Sequence, residues 1–136
     1  MSWDIFALDF PADVRRLSEL PDGFQPQAIG SRAEIAARIL AVVPTTRFAA
    51  DCKWGDIEGP DYSINLFLGE TEPCTAVAFA VRGINPDVVD VVADILDHLG
   101  MRAAQSGPGD DFFDRHSSRK TFAAWCEYRD QIVDDR

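Results

Sequence analysis

Between Tyr62 and Gly83, apolar and polar positions alternate twice over. Tyr62, Ile64, Leu66 and Leu68 alternate with Ser63, Asn65 and Phe67; the run Gly69 to Pro73 interrupts; then Val77, Phe79 and Val81 alternate with Ala76, Ala78, Ala80 and Arg82. A period of two on both sides of a short polar connection predicts a β-hairpin with one strongly apolar face. The other face carries small residues, one phenylalanine and one arginine. It is neither a second core nor an ordinary charged surface.

The flanking segments read around this hairpin. Trp3 to Leu8 predicts a strand that stops at Pro11. Residues 11–30 hold three prolines and form a surface excursion, with room for two helical turns over Asp13–Leu20 before Pro21-Asp22-Gly23; Phe24 and Ile29 still need burial. Ser31-Arg32-Ala33-Glu34 is a capping box, and Ala36, Ile39, Leu40 and Val43 follow at helical spacing, predicting a helix over Arg32–Val43. Asp56-Ile57-Glu58 suggests a short extra strand between Gly55 and Gly59. Asn85-Pro86 opens a second helix whose stripe of Val88, Val89, Val92, Ile95, Leu96 and Leu99 ends at Gly100. Met101–Ala104 predicts a short strand, and Ser117 or Ser118 caps a last helix carrying Phe122, Trp125, Cys126 and Ile132 to about Val133.

The order strand, helix, strand, strand, helix, strand, helix is that of an α+β, ferredoxin-like β-α-β-β-α-β motif with a C-terminal helix. It predicts a four-stranded antiparallel sheet with both helices on one face, the terminal helix or a second subunit covering the other. The alternative is an α+β sheet in which residues 56–58 add a fifth strand. At 136 residues, 46% of them hydrophobic, the chain is expected to be a single domain over 1–136. No apolar run is long enough for a bilayer and the start has no leader pattern, so a cytoplasmic protein is expected. Cys52, Cys74 and Cys126 lie far apart, which suggests small buried hydrophobes rather than a disulfide framework or a zinc knuckle.

Charge changes the picture through its placement. The net charge is −10, and residues 51–97 hold ten acids against Lys53 and Arg82, a balance of −8. Such a field repels nucleic acid and anionic membranes and steers a basic partner inward. Asp87, Asp90, Asp94 and Asp97 fall on one ridge of the second helix, either a contact for a basic protein or a solvated face. Phe67 and Arg82 would anchor a partner on the small-residue face, unless the C-terminal helix lies there with Phe122 and Trp125 on the alanines.

Asp110, Asp111, Asp114 and His116 mix acids with histidine, but Phe112 and Phe113 between them point to an anchored loop. His98 precedes Gly100, where a cation complements the helix dipole. No phosphate loop, dinucleotide fingerprint, zinc-protease or nucleophile-elbow motif occurs, and Lys53 breaks any EF-hand pattern. No catalytic residue, metal or cofactor is expected.

Ser2-Trp3-Asp4-Ile5, Leu20-Pro21-Asp22-Gly23-Phe24-Gln25-Pro26 with Ile29-Gly30-Ser31-Arg32, Trp54-Gly55 and Phe79-Ala80-Val81-Arg82-Gly83 resemble a group of small acidic bacterial proteins of uncharacterised function. The resemblance spans nearly the whole chain, implies a bacterial cytoplasmic domain, and brings no activity. The leading expectation is a non-enzymatic domain that binds a basic protein, in one version an immunity or antitoxin-like inhibitor. A small enzyme or ligand site near Trp54, Asp56, Arg82 and His116 is one alternative. A homodimeric accessory domain is another.

Overall fold

The hairpin becomes the middle of a six-stranded, fully antiparallel sheet in a computed structural model that describes residues 2–106 and 112–134. The strands are β1 (Trp3–Leu8), β2 (Arg47–Phe48), β3 (Trp54–Gly59), β4 (Tyr62–Phe67), β5 (Ala76–Gly83) and β6 (Arg102–Gln105). Their order across the sheet is β2-β3-β4-β5-β1-β6. The helices are α1 (Arg32–Val42), α2 (Asp87–Leu99) and α3 (Ser117–Asp134).

This corrects the four-stranded ferredoxin-like expectation, because residues 47–59 add two strands at the β4 edge. The pattern around Ile57 extends outward in both directions: Gly55 and Ile57 are buried while Trp54, Asp56 and Glu58 point the other way. Pro60-Asp61 closes the β3–β4 hairpin, with Asp61 at φ 58, a left-handed conformation that aspartate tolerates better than most residues. Gly55 admits β2, since a Cβ there would come within 2.7 Å of the Phe48 ring. Residues 13–20 form only a single 3-10 turn, Leu17–Glu19.

Each helix begins where its cap dictates. The Ser31 side chain accepts from the Glu34 amide at 3.1 Å, and Asn85 Oδ1 accepts from the Asp87 amide at 3.0 Å. Gly100 ends α2 at φ 67, its amide bonded back to Leu96 and Asp97.

One face of the sheet holds the core. Trp3, Ile5, Ile64, Leu66, Val77, Phe79 and Val81 pack there against Ile35 and Ile39 of α1 and the apolar stripe of α2. α3 joins the same layer: Phe122 is buried 5.4 Å from the Trp3 ring, and Trp125 stacks on Phe122 with Arg129 over it. The terminal helix therefore does not cover the alanine face. Its stripe meets Trp3 because the Cys126 thiol and the Arg129 guanidinium both reach the Gly83 carbonyl, pinning α3 beside the end of β5.

Candidate functional site

Among the described residues, α1, α2 and α3 all pack on one side of the sheet, and the opposite side is open except at the corner where Phe10 and Phe24 reach Phe112. Register places its outward side chains in rows. Trp54 pairs with Phe67, Phe67 with Ala78, Ala78 with Phe6, Phe6 with Ala104, and Ala104 with Phe112. A single transverse row of aromatics and alanines thus crosses the sheet. Trp54, the first residue of β3, is 55% exposed and Phe6, inside β1, 46%, although their neighbours Gly55, Ile5 and Ala7 are buried toward the core.

The row is ordered by ring contacts. Trp54 stacks on Phe67 at 4.3 Å between centroids. At the other end Phe112 meets Phe10 edge-on at 5.1 Å and carries the Arg102 guanidinium 3.7 Å above its ring. Phe24 stacks on Phe10, so the proline-rich excursion is anchored here and closes that corner of the face. Sequence periodicity marks Phe67 and the alanines as unusual and misses Phe6; Trp54, expected in a cleft with Asp56, stands at the end of this row, a place that depends on which strands become neighbours. Arg82 lies on the same face opposite Ser63, one row beyond Asp4 and Ala80.

Trp54 and Asp56 share an open concavity of about 450 Å³ with Arg47 and Asn65, and Arg47 is bonded to Asp56 at 3.2 Å. Arg82 and His116 do not line it. Arg82 stands two strands away on β5, and His116 lies just before α3 on the helix side. The four residues of the expected cleft are therefore not gathered into one.

The acidic ridge of α2 is largely answered from within the chain. Arg115 donates to Asp90 at 3.2 Å, to Asp94 at 2.7 Å and to Asp97 at 3.2 Å, and Arg119 also pairs with Asp90. Three acids against two arginines leave −1 on that stretch. Asp87 lies outside this clasp and has no ion-pair partner among the described residues. The spacing of Arg115 and Arg119, one helical turn apart, was the available signal.

Asp114 is a cap and not a ligand. Its carboxylate accepts from the amides of His116 (3.1 Å) and Ser117 (2.9 Å) and from the Ser117 hydroxyl (3.2 Å), at the start of α3. The Ser117 amide most of all holds this carboxyl below the usual aspartate range. Replacing Asp114 with alanine is expected to cost about 0.5–1 kcal/mol at neutral pH, the low end for a cap that faces water. Because the folded-state pKa lies below the unfolded one, the contribution is complete above the ordinary value of about 3.9 and is lost as pH falls through the folded-state value. Urea midpoints of Asp114→Ala and the parent should differ at neutral pH and converge in acid. A gap that persists in acid would deny the carboxylate this role.

Asp110 and Asp111 lie outside the described residues. Among the described residues, no three or more His, Cys, Asp or Glu side chains form a group that would hold a metal ion. His98 is exposed, and its backbone carbonyl accepts from Arg38 at 2.9 Å. The cysteines are unpaired; Cys74 is buried, which pushes its thiol pKa up, and Cys52 and Cys126 are partly buried against the core. Among the described residues, no helix is long and apolar enough to cross a membrane. No family model, curated protein or solved structure matches the chain.

Proposed function

We propose that this chain is a non-enzymatic protein-docking domain whose contact surface is the open face of its sheet. One observation carries this: large aromatics, Trp54 and Phe6, stand about half exposed in a continuous apolar row on the side away from the core. Exposed apolar surface of that kind, edged with polar groups, is the usual mark of a protein contact. Aromatic anchors beside alanines supply large rings and shallow seats, the pairing on which binding energy concentrates. We also treat β4-β5-β1-β6 with α1 and α2 as a ferredoxin-like unit widened at one edge, so that β3 lengthens the aromatic row. A bacterial cytoplasmic setting, implied by the sequence resemblance, belongs to the same proposal.

Photo-crosslinking tests it. A benzophenone amino acid replacing Phe67 is expected to capture protein in the native host, while the same probe replacing Leu40 on α1 captures far less. Equal capture at both positions, or none at Phe67, would refute docking through this face.

A further inference from the structure

We infer that the occupant of the open face is a second copy of this chain, placed by a two-fold axis that lies in the interface along the strands. This rests on the docking proposal above and names its partner. The order of side chains in the row is the reason. From β3 to the Phe112 bridge it runs Trp54, Phe67, Ala78, Phe6, Ala104, Phe112. A two-fold axis in the interface reverses the row against itself. Phe6 of each copy then meets Ala78 of the other and Phe67 meets Ala104, while Trp54 comes to lie at the corner where Arg102 and Phe10 already cover Phe112. Every central ring falls on a methyl-sized seat, which is the interlocking that aligned sheet-on-sheet packing requires.

Charge points the same way. Among the described strand residues on this face, Asp4, Asp56 and Glu58 are balanced by Arg47, Arg82 and Arg102, three acids against three bases, on a chain of net charge −10. A basic partner would find no complementary field here. A surface that must meet its own copy is best left neutral, because any net charge would be repeated across the contact. The area is adequate as well: five strands at about 4.8 Å spacing and six residues at about 3.3 Å rise give roughly 500 Å² of flat area per copy. Side-chain relief raises this toward the lower range of stable interfaces, consistent with a micromolar dimer.

Exchanging a ring and its seat tests the arrangement. Sedimentation velocity on the purified chain, over about 1 to 100 µM, is expected to show a concentration-dependent dimer. Phe6→Ala should weaken it at least about tenfold by leaving a hole opposite Ala78. The double variant Phe6→Ala with Ala78→Phe exchanges ring and seat and should return the affinity to within about threefold of the parent, a rescue that no other register offers. Circular dichroism and urea midpoints confirm that each variant is folded before it is weighed. A parent that stays monomeric throughout, or a dimer indifferent to Phe6 or unrescued by the exchange, overturns the two-fold arrangement. If the parent is monomeric while the Phe67 probe still captures another protein, only the self-partner fails; if capture also fails, the docking proposal falls with it.

Discussion

Trp3→Ala is expected to destabilise the monomer by about 3–5 kcal/mol, whereas Trp54→Ala should cost no more than about 1 kcal/mol. The same truncation is made twice, on opposite faces of one sheet. Trp3 is fully buried and touches Phe113 and Phe122 at 6.2 and 5.4 Å between ring centroids, so its removal opens a cavity where the sheet meets α3. Trp54 loses mainly its stack on Phe67 and is otherwise in water. The indole N–H of Trp3 has no hydrogen-bond partner among the described residues. Trp3→Phe, which removes that donor and keeps a ring in place, should therefore cost much less than Trp3→Ala. Urea denaturation at a protein concentration low enough to keep the chain monomeric measures all three. Equal costs at Trp3 and Trp54 would mean that both faces are core.

Much of the fold was legible because its signals are local. The hairpin from Tyr62, the Ser31 cap and the α2 stripe ending at Gly100 each rest on residues within a few positions of one another. β2 and β3 were harder. Gly55 and Gly59 read as breaks, and only the packing of Phe48 across Gly55 and the turn at Asp61 turn them into sheet positions. The side on which α3 lies was not legible either. A helical stripe states that a face will be buried, and the choice between two faces of a sheet was decided by Trp3 and Gly83, far away in sequence.

The functional surface was legible to the same partial extent. Ala76, Ala78, Ala80 and Phe67 stood out as a face without a purpose. Their row became visible only with register, because its six members come from five strands and one bridge. The acidic ridge shows the reverse. Its four aspartates are obvious in sequence, but Arg115 and Arg119 lie 18 or more residues beyond it and fold back onto three of them. Exposed pairs of this kind contribute little to stability. Their consequence here is to lower the charge that the ridge presents to an incoming partner.

The response to salt separates a second copy from a basic partner, because the two have opposite signs. Two chains of −10 each repel as they approach, and screening relieves that repulsion. Self-association through a neutral apolar face should therefore tighten about 10- to 100-fold between roughly 0.05 and 0.5 M salt. Attraction between the acidic third of the chain and a basic protein would weaken over the same range. Sedimentation equilibrium of the intact chain across this salt series is the most direct test of docking between copies through the open sheet face. A dimer that strengthens with salt and is lost in Phe6→Ala is the expected result; a chain monomeric at every salt concentration, or a dimer that weakens as salt rises, would contradict it.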